Sequence, residues 1–313
     1  MILTLTVNPA IDRNVAADRL VFEDRGYILS TRESAGGRGI NASCVIESFG
    51  GQTLAVAVSG GANGARFEEY LRGCRFPVEV VPIRSEIRTN LAITDKQGLT
   101  VKLNEAGPRL DPDEVERLEQ VVRSKLDQAS WLMLCGSLPP GVPADFYARL
   151  IEAARQKKVK TLLDTDGDAL QAGIQARPTA VAPNQQEADR LLCRALLTRT
   201  QFLDAARRMK DLGGESVMLS LGSRGAIGNN AEGLIEVTPP RVDAVCPIGA
   251  GDAMAAAFAW AMERRGDFAD AVRWGVACGT ASARLPGLCF ASLQQTEEVY
   301  RQVEVRRAAP ERH

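Results

Sequence analysis

The sequence predicts an α/β fold with a doubly wound, mostly parallel sheet flanked by helices and a small β-sheet lid. From about residue 110 onward, short apolar runs alternate with segments of helical periodicity. The connections between them are short, which favours parallel strands covered by helices on both faces. The N-terminal third instead holds two charged, alternating segments, 12–33 and 88–104, which are typical of strands with one exposed face.

The individual elements follow from local composition. Apolar runs bounded by glycine, proline or aspartate predict strands at 2–7, 131–135, 160–163, 179–182 and 216–220. Longer segments rich in alanine and leucine predict helices at 42–49, 143–157, 185–193 and 202–212. The predicted α/β core comprises 1–11, 36–86 and 106–305, the lid 12–35 and 87–105, and a flexible tail 306–313. Exposed strands of such a lid could also form a dimer surface.

Composition excludes several classes of function. The 313 residues have 45% hydrophobic content, which suits one large domain with a small appendage. The net charge of −1 gives no general attraction to nucleic acid or to an anionic membrane. The apolar runs are too short to span a bilayer, and the N-terminus lacks the features of a signal peptide. We therefore expect a cytoplasmic protein.

Histidine and cysteine usage narrows the chemistry further. The seven cysteines form no C-x-x-C pair, which indicates reduced thiols rather than a disulfide framework or a zinc cluster. The only histidine is His313, the last residue. Triads and dyads that need histidine are therefore excluded, and a carboxylate is the expected general base.

Polar residues collect where the predicted strands end. They are Gly136-Ser137, Asp164-Thr165-Asp166, Asn184 with Glu187, and Ser220 with Gly222. In parallel α/β sheets, ligands bind at the carboxyl ends of the strands. Four predicted strands in succession along the chain each end in polar residues, which predicts a binding site at this edge of the sheet.

Two glycine-rich turns open onto helices, at 35–41 and at 247–258. Glycine lets a ligand approach the backbone closely, and a helix start presents free N–H groups and a positive dipole end. Each turn is therefore a candidate anion site, one for a substrate and one for a nucleotide phosphate. Neither is a Walker A loop. Asp252 lies at the second turn, where an acid can be a base or only a helix cap.

An ordered series of motifs carries a family resemblance. The motifs are Asn8-Pro9-Ala10-Ile11-Asp12, Gly36-Gly37-Arg38-Gly39-Ile40-Asn41, Asn104-Glu105-Ala106-Gly107-Pro108, Gly136-Ser137-Leu138-Pro139, Leu163-Asp164-Thr165, Pro183-Asn184-Gln185-Gln186-Glu187 and Gly249-Ala250-Gly251-Asp252. Together they resemble the ribokinase/PfkB carbohydrate kinase family over nearly the whole chain. The resemblance is strongest to its 1-phosphofructokinase, tagatose-6-phosphate kinase and minor 6-phosphofructokinase branch.

The resemblance implies ATP-dependent phosphorylation of a hydroxyl on a ketohexose phosphate. Asp252 would be the base, and an ordinary carboxylate of low pKa would suffice in a loose transition state. On the turn that begins at Gly249, the N–H groups of Ala250, Gly251 and Asp252 would form the anion hole. Asn184 and Glu187 would place Mg²⁺ and the phosphates through water. The nucleotide-binding residues would also include Ser220, Gly222 and Gly225.

The resemblance also implies a set of sugar ligands. Asp12, Gly37 and Asn41 would bind the sugar, and Arg88 would be the first ligand of its phosphate. Lys102, Arg25 and Arg38 are further cationic candidates, since a guanidinium suits phosphate geometry. Ser137 could donate a hydrogen bond to the same phosphate.

Four places depart from the family pattern. Relatives of this branch often have lysine where Arg38 and Ala182 stand. Cys246-Pro247-Ile248 replaces a more usual Ser/Thr-x-Val approach, and Pro286-Gly287-Leu288-Cys289 replaces a Gly-Thr-rich stretch. Two alternatives therefore stay open. One is a ribokinase-like kinase of an unphosphorylated sugar or nucleoside, which Arg88 and Lys102 disfavour. The other is a catalytically weak sugar-phosphate sensor. A homodimer through the lid is also expected.

Overall fold

The fold is described by a computed structural model that covers residues 1–308. In chain order its strands are β1 Ile2–Thr6, β2 Ala10–Ala17, β3 Ile28–Gly36, β4 Thr53–Ser59, β5 Val78–Pro82, β6 Arg88–Thr94, β7 Thr100–Asn104, β8 Trp131–Cys135, β9 Lys160–Asp164, β10 Ala180–Val181, β11 Val217–Ser220, β12 Ala226–Asn230, β13 Gly233–Thr238 and β14 Glu304–Arg307. Its helices are α1 Arg38–Ser48, α2 Gly61–Leu71, α3 Pro112–Lys125, α4 Phe146–Gln156, α5 Gly167–Gln175, α6 Gln185–Leu191, α7 Arg199–Asp211, α8 Ala250–Arg265, α9 Phe268–Ala283 and α10 Leu293–Tyr300.

Ten strands form the main sheet, in the order β14-β13-β12-β11-β10-β9-β8-β1-β4-β5. The seven strands from β11 to β5 in that order run parallel, which confirms the mostly parallel sheet. The remaining strands, β12, β13 and β14, extend one edge in antiparallel fashion. None of these three strands is predicted from the sequence; β12 ends in two asparagines and β14 is mostly charged, so neither has a clear apolar pattern.

Helices cover both faces of the main sheet, as the doubly wound fold requires. Alternate side chains of one strand pack into the apolar layers on opposite sides of the sheet, since successive residues of a strand point to opposite faces. On β8, Trp131 and Met133 pack with α1, α8 and α9, whereas Leu132 and Leu134 pack with helices α2 to α5 and α7. The result is two buried apolar layers, one on each side of the sheet.

A second sheet of four strands lies apart from the first, in the order β3-β2-β6-β7. Strands β2 and β6 are parallel, and the outer pairs are antiparallel. Its strands come from the two segments that the sequence analysis assigns to a lid. Strand β7 and the first half of β3 are exposed. This small sheet is joined to the core where β2 and β3 meet the loops after β1 and before α1.

Several element ends differ from the sequence-based expectations. Helix α1 begins at Arg38, inside the glycine-rich run, and not at residue 42. The strand expected over 179–182 is reduced to Ala180–Val181, and Pro183 follows it closely. Strand β14 includes Arg306 and Arg307, so the expected tail boundary at 306 falls within a strand paired with β13. Residues 309–313, which hold the rest of the expected tail and His313, lie outside the described residues.

None of the helices within residues 1–308 is long and apolar enough to cross a membrane.

Candidate active site

Two adjoining cavities lie at the carboxyl ends of the parallel strands. The larger, of about 280 Å³, is bordered by the small sheet, the start of α1 and the turn before α8. The smaller, of about 140 Å³, is bordered by the ends of β9 and β11 and by the first turn of α8. Arg38 and Asp252 border both cavities. The polar strand ends singled out from the sequence therefore meet at one edge of the sheet.

Asp252 lies in the first turn of α8, where the chain enters the helix through a left-handed glycine. Gly249 caps the helix with φ 79°, a backbone conformation that glycine adopts without steric cost. The N–H of Ala250 donates to the Pro247 carbonyl at 3.3 Å. The N–H groups of Gly251 and Asp252 have no hydrogen-bond partner within residues 1–308. Two of the three expected anion-hole donors are thus available to a ligand.

The environment of Asp252 raises its pKa to about 6. Burial is the largest cause, and the negative charge of Asp164 adds to it. Arg38 and a hydrogen bond from Asn41 Nδ2 to Asp252 Oδ2, of 2.7 Å, act in the opposite direction. Asp252 is therefore not the ordinary low-pKa carboxylate that would suffice for the reaction, because burial and the nearby Asp164 both disfavour its charged form.

Arg38, the first residue of α1, is the cation between the two cavities. Its Nη1 donates to Asp164 Oδ1 at 2.8 Å, and its Nη2 donates to Glu187 Oε1 at 3.0 Å. A longer contact of 3.5 Å joins Nη2 to Asp166. Burial alone would lower the pKa of Arg38, but these carboxylates raise it well above its ordinary value. The guanidinium faces both cavities, and not only the side expected for a sugar phosphate.

The expected sugar ligands line the larger cavity. Asp12 accepts a hydrogen bond from Asn90 Nδ2 at 2.9 Å, and burial raises its pKa while Asn90 and Arg88 oppose the rise. The carboxyl group lies against Gly36, where a Cβ would come within 2.2 Å of it. Gly37, with φ 132°, caps the N-terminus of α1 and is also confined, since a Cβ there would lie 2.5 Å from Thr6 Cγ2.

Arg88 enters the larger cavity from β6 and is held by backbone carbonyls. Its Nη1 donates to Glu105 O at 2.8 Å and its Nη2 to Asn8 O at 3.1 Å. Burial lowers its pKa from the ordinary value, and its buried Nε has no hydrogen-bond partner among the described residues. Ser137 accepts from Asn8 Nδ2 at 3.2 Å.

The other expected cations differ in position. Lys102 is exposed at the rim of the larger cavity. Arg25 lies in the loop between β2 and β3 and borders neither cavity, so the structure does not bring it to the site.

Asn184 and Glu187 form the wall of the smaller cavity through a reciprocal helix cap. The Glu187 N–H donates to Asn184 Oδ1 at 3.0 Å, and the Asn184 N–H donates to Glu187 Oε2 at 2.8 Å. Burial raises the pKa of Glu187, and Arg38 opposes the rise. The cap and the ion pair together fix both carboxylate oxygens of Glu187.

The remaining nucleotide candidates lie at the end of β11. Ser220 borders the smaller cavity. Gly222 and Gly225 flank the 3₁₀ turn Gly222–Arg224 and border neither cavity. A Cβ at Gly225, where φ is 90°, would lie 2.0 Å from the Val237 carbonyl oxygen, whereas the space around Gly222 is open. Gly225 is therefore required by the packing of the turn.

The sequence analysis missed Asn90, which holds Asp12 and lines the larger cavity. The available signal was its spacing: Arg88 and Asn90 are two residues apart on a strand, so they share a face. Ile248 and Leu288 also border this cavity, and nothing in their local sequence distinguishes them from core residues.

The fold and the paired cavities, with a carboxylate and a helix N-terminus between them, define a phosphotransferase of the α/β kinase class. The model of the pfkB family of carbohydrate kinases matches residues 6–295. The chain belongs to this family.

Relatives of known activity agree with this assignment. The chain is 31% identical over 302 residues to the ATP-dependent 6-phosphofructokinase isozyme 2 of Escherichia coli (strain K12), covering 96% of this chain and 97% of the relative. It is 28% identical over 310 residues to a tagatose-6-phosphate kinase of Staphylococcus epidermidis, covering 97% and 99%.

Solved structures support the same fold. The phosphofructokinase-2 of Escherichia coli in complex with fructose-6-phosphate superposes with a TM-score of 0.87 at 31% identity, covering 96% of this chain and 98% of that one. A possible 1-phosphofructokinase from Thermotoga maritima gives a TM-score of 0.90 at 24% identity, covering 99% and 100%. The ribokinase-like architecture is thereby confirmed.

Proposed function

We propose that this protein transfers the terminal phosphoryl group of ATP to a hydroxyl of a ketohexose phosphate, with Asp252 as the base. The observation that carries the proposal is the position of Asp252, which borders both cavities beside two unengaged helix N–H groups. A hydroxyl in the larger cavity and a phosphoryl group in the smaller one would meet at this residue. The relatives that act on fructose 6-phosphate and tagatose 6-phosphate support the substrate class.

The larger cavity has the polarity that a phosphorylated sugar needs. Asp12 and Asn41 supply an acceptor and an amide for sugar hydroxyls, and the backbone of Gly37 lines the same cavity. Arg88, Lys102 and Ser137 supply donors for the substrate's own phosphate. A neutral sugar needs no such cations, which is why the phosphorylated substrate is favoured over ribose or a nucleoside.

Phosphoryl transfer would take place between the two cavities. Asp252 orients the attacking hydroxyl and accepts its proton as the new bond forms, and a pKa of about 6 leaves it mostly ionised at neutral pH. The N–H groups of Gly251 and Asp252 and the N-terminus of α8 stabilise the charge on the moving phosphoryl group. Arg38 adds a fixed positive charge beside the path of transfer.

The smaller cavity has the polar lining that the terminal phosphates of a nucleotide need, with their Mg²⁺ held indirectly. Within residues 1–308, no group of three or more acidic, cysteine or histidine side chains is arranged to hold a metal directly. Glu187 has both oxygens engaged, so its contact with the ion would run through water, as Mg²⁺ tolerates well. Asn184 and Ser220 would help to hold the phosphates. When bound, Mg²⁺ neutralises part of the phosphate charge.

A coupled ADP-release assay tests the proposal. Fructose 1-phosphate, fructose 6-phosphate, tagatose 6-phosphate, ribose and adenosine are compared at saturating ATP and Mg²⁺. We expect turnover with at least one phosphosugar. Turnover of ribose or adenosine alone would contradict the substrate class, and binding of a phosphosugar without turnover would indicate a sensor.

We also propose that the protein is a homodimer through the small sheet. The sheet exposes apolar side chains that an isolated domain would bury, among them Ile28 (68% exposed), Leu29 and Leu103. Leu103→Glu should shift the mass measured by light scattering from dimer to monomer, while Leu212→Glu, an exposed leucine on the main domain, should not. A monomeric unmodified protein would refute this association.

A further inference from the structure

Three of the sequence motifs meet at Asn8, a residue to which the proposed reaction gives no role. Asn8 lies just after β1, is 4% exposed and lines the larger cavity. Its Nδ2 donates to the Ala106 carbonyl at 3.0 Å and to Ser137 Oγ at 3.2 Å. A Cβ on Gly107 would lie 2.1 Å from Asn8 Oδ1. The side chain of Asn8 therefore joins segments that lie 98 and 129 residues further along the chain.

Both hydrogen-bonded anchors of Arg88 also depend on Asn8. Arg88 Nη2 donates to the main-chain carbonyl of Asn8 at 3.1 Å, and Nη1 donates to that of Glu105 at 2.8 Å. Glu105 precedes Ala106, whose own carbonyl accepts from the Asn8 amide. Arg88 begins β6, and Glu105 directly follows β7. The same contacts therefore attach both ends of the β6–β7 hairpin of the small sheet to the end of β1.

The fold alone does not account for the amide of Asn8. Its Oδ1 is buried and has no hydrogen-bond partner within residues 1–308. A buried oxygen without a partner destabilises a fold, so an asparagine at this position has a cost in stability. Its donor end contacts Ser137, a proposed ligand of the substrate's phosphate, and the segment that holds Arg88. These contacts indicate that the amide serves the site.

We propose that Asn8 is a positioning residue for the phosphate of the substrate, an inference that rests on the proposed function. Its amide fixes the Ser137 hydroxyl, and its amide and main-chain carbonyl together fix the Arg88 guanidinium. Asn8 acts through these two ligands and not on the reacting atoms. A phosphate bound by several donors needs all of them at hydrogen-bond distance at once. Loss of the amide therefore weakens binding of the phosphosugar more than it slows phosphoryl transfer.

Steady-state kinetics of Asn8→Ala test this role with the phosphosugar that the unmodified protein uses best. We expect the KM for that phosphosugar to rise about 10-fold or more, as for loss of one charge-assisted hydrogen bond. The KM for ATP and kcat should change by about threefold or less, since neither depends on the phosphate of the sugar. An unchanged phosphosugar KM would overturn the proposal.

The matched control is Asn63→Ala, which removes another asparagine amide bonded to the start of β6. Asn63 Nδ2 donates to the Ile87 carbonyl at 3.1 Å and to Thr89 Oγ1 at 3.4 Å, but Asn63 borders neither cavity. Asn63→Ala should therefore leave the phosphosugar KM unchanged. An equal rise of this KM in both variants would show that Asn8 only attaches the small sheet, and would overturn the proposal.

A double-mutant cycle separates positioning from general destabilisation. Asn8→Ala is combined with Arg88→Leu/Ser137→Ala, which removes both groups through which Asn8 is proposed to act. In that background Asn8→Ala should lower kcat/KM for the phosphosugar by about twofold or less, because residues that act through one another are not additive. A loss by the same factor in both backgrounds would overturn the proposal.

Gly107→Ala tests the same contact without changing Asn8 itself. The new methyl group would displace the Asn8 side chain and should raise the phosphosugar KM. Gly98→Ala, in the turn between β6 and β7, is the control, because Gly98 also has a positive φ, of 85°, but open space around it. Equal KM values in the two variants would overturn the proposed contact. Absence of turnover with any phosphosugar in the unmodified protein would instead refute the proposed function, and this inference with it.

Discussion

Replacing Asn41 with alanine should shift the pH dependence of the reaction to higher pH. Asn41 Nδ2 donates to Asp252 Oδ2 at 2.7 Å, a hydrogen bond that favours the ionised carboxylate. Hydrogen bonds to charged groups contribute roughly 1.5–3 kcal/mol, and one pKa unit corresponds to about 1.36 kcal/mol. In the variant, water that enters the half-buried site would replace part of the lost stabilisation of the carboxylate. We therefore expect the pKa of Asp252 to rise by about one unit from about 6.

The assay is the pH profile of kcat/KM, whose acid limb reports the base of the free enzyme. Since the base must be ionised, activity rises with pH through its pKa. With a shift of one unit, the ionised fraction at pH 6.5 falls from about three quarters to about one quarter, and at pH 8.5 it is nearly unchanged. The variant should therefore lose about threefold more activity at pH 6.5 than at pH 8.5.

The control is Asn14→Ala, an asparagine of the same cavity with no hydrogen bond to Asp252 in the described structure. Its acid limb should stay in place, whatever its effect on KM. An acid limb of Asn41→Ala that does not move, or moves to lower pH, would refute the reasoning that this amide stabilises the charged base.

Three further substitutions test other parts of the site. Asp252→Asn should lower kcat by about 10³-fold with little change in sugar KM. The same substitution should raise the free energy of unfolding by about 1–2 kcal/mol at pH 7, measured by urea unfolding. The reason is that the pKa of Asp252 in the folded state lies above the ordinary 3.8, so its ionisation destabilises the fold as the pH rises to about 6. Arg88→Leu should raise the phosphosugar KM by about 30-fold or more in steady-state assays, through loss of the charged hydrogen bond proposed between this guanidinium and the substrate phosphate. Gly225→Ala should destabilise the fold by about 2 kcal/mol or more in urea unfolding, well beyond the matched Gly222→Ala.

Each of these has a distinct contrary result. A near-normal kcat in Asp252→Asn would show that Asp252 is not the base. An unchanged or lowered free energy of unfolding would contradict the conclusion that the charge of Asp252 destabilises the fold. An Arg88→Leu enzyme with normal phosphosugar KM would place the phosphate elsewhere. Equal stability losses at the two glycines would show that the Val237 carbonyl does not limit the turn.

The sequence predicted the parts of the site that depend on strand ends. Ser137, Asn184 and Ser220 each follow an apolar run, and parallel strands bring their carboxyl ends to one edge. The glycine turns before α1 and α8 were identified for a similar reason, since a helix start next to glycine has a recognisable local pattern. Local sequence is sufficient where the backbone alone positions the residue.

Contacts between distant segments could not be predicted in the same way. Arg38 pairs with Asp164 and Glu187, which lie 126 and 149 residues away along the chain. That network determines the charge around Asp252 and hence its raised pKa. The antiparallel strands β12 to β14 were also missed, because β12 ends in two asparagines and β14 is mostly charged, so neither shows a strong apolar period.

Arg38 borders both the larger and the smaller cavity, and this position affects how the two substrates bind. The guanidinium faces both cavities, and its carboxylate partners Asp164 and Glu187 lie in the smaller one. Any shift of the guanidinium that accompanies occupancy of one cavity alters the surface of the other. The factor by which nucleotide changes the affinity for sugar must then equal the factor by which sugar changes the affinity for nucleotide. Arg38 thus connects the binding of nucleotide to the binding of sugar, beside the carboxylate of Asp252 that also borders both cavities.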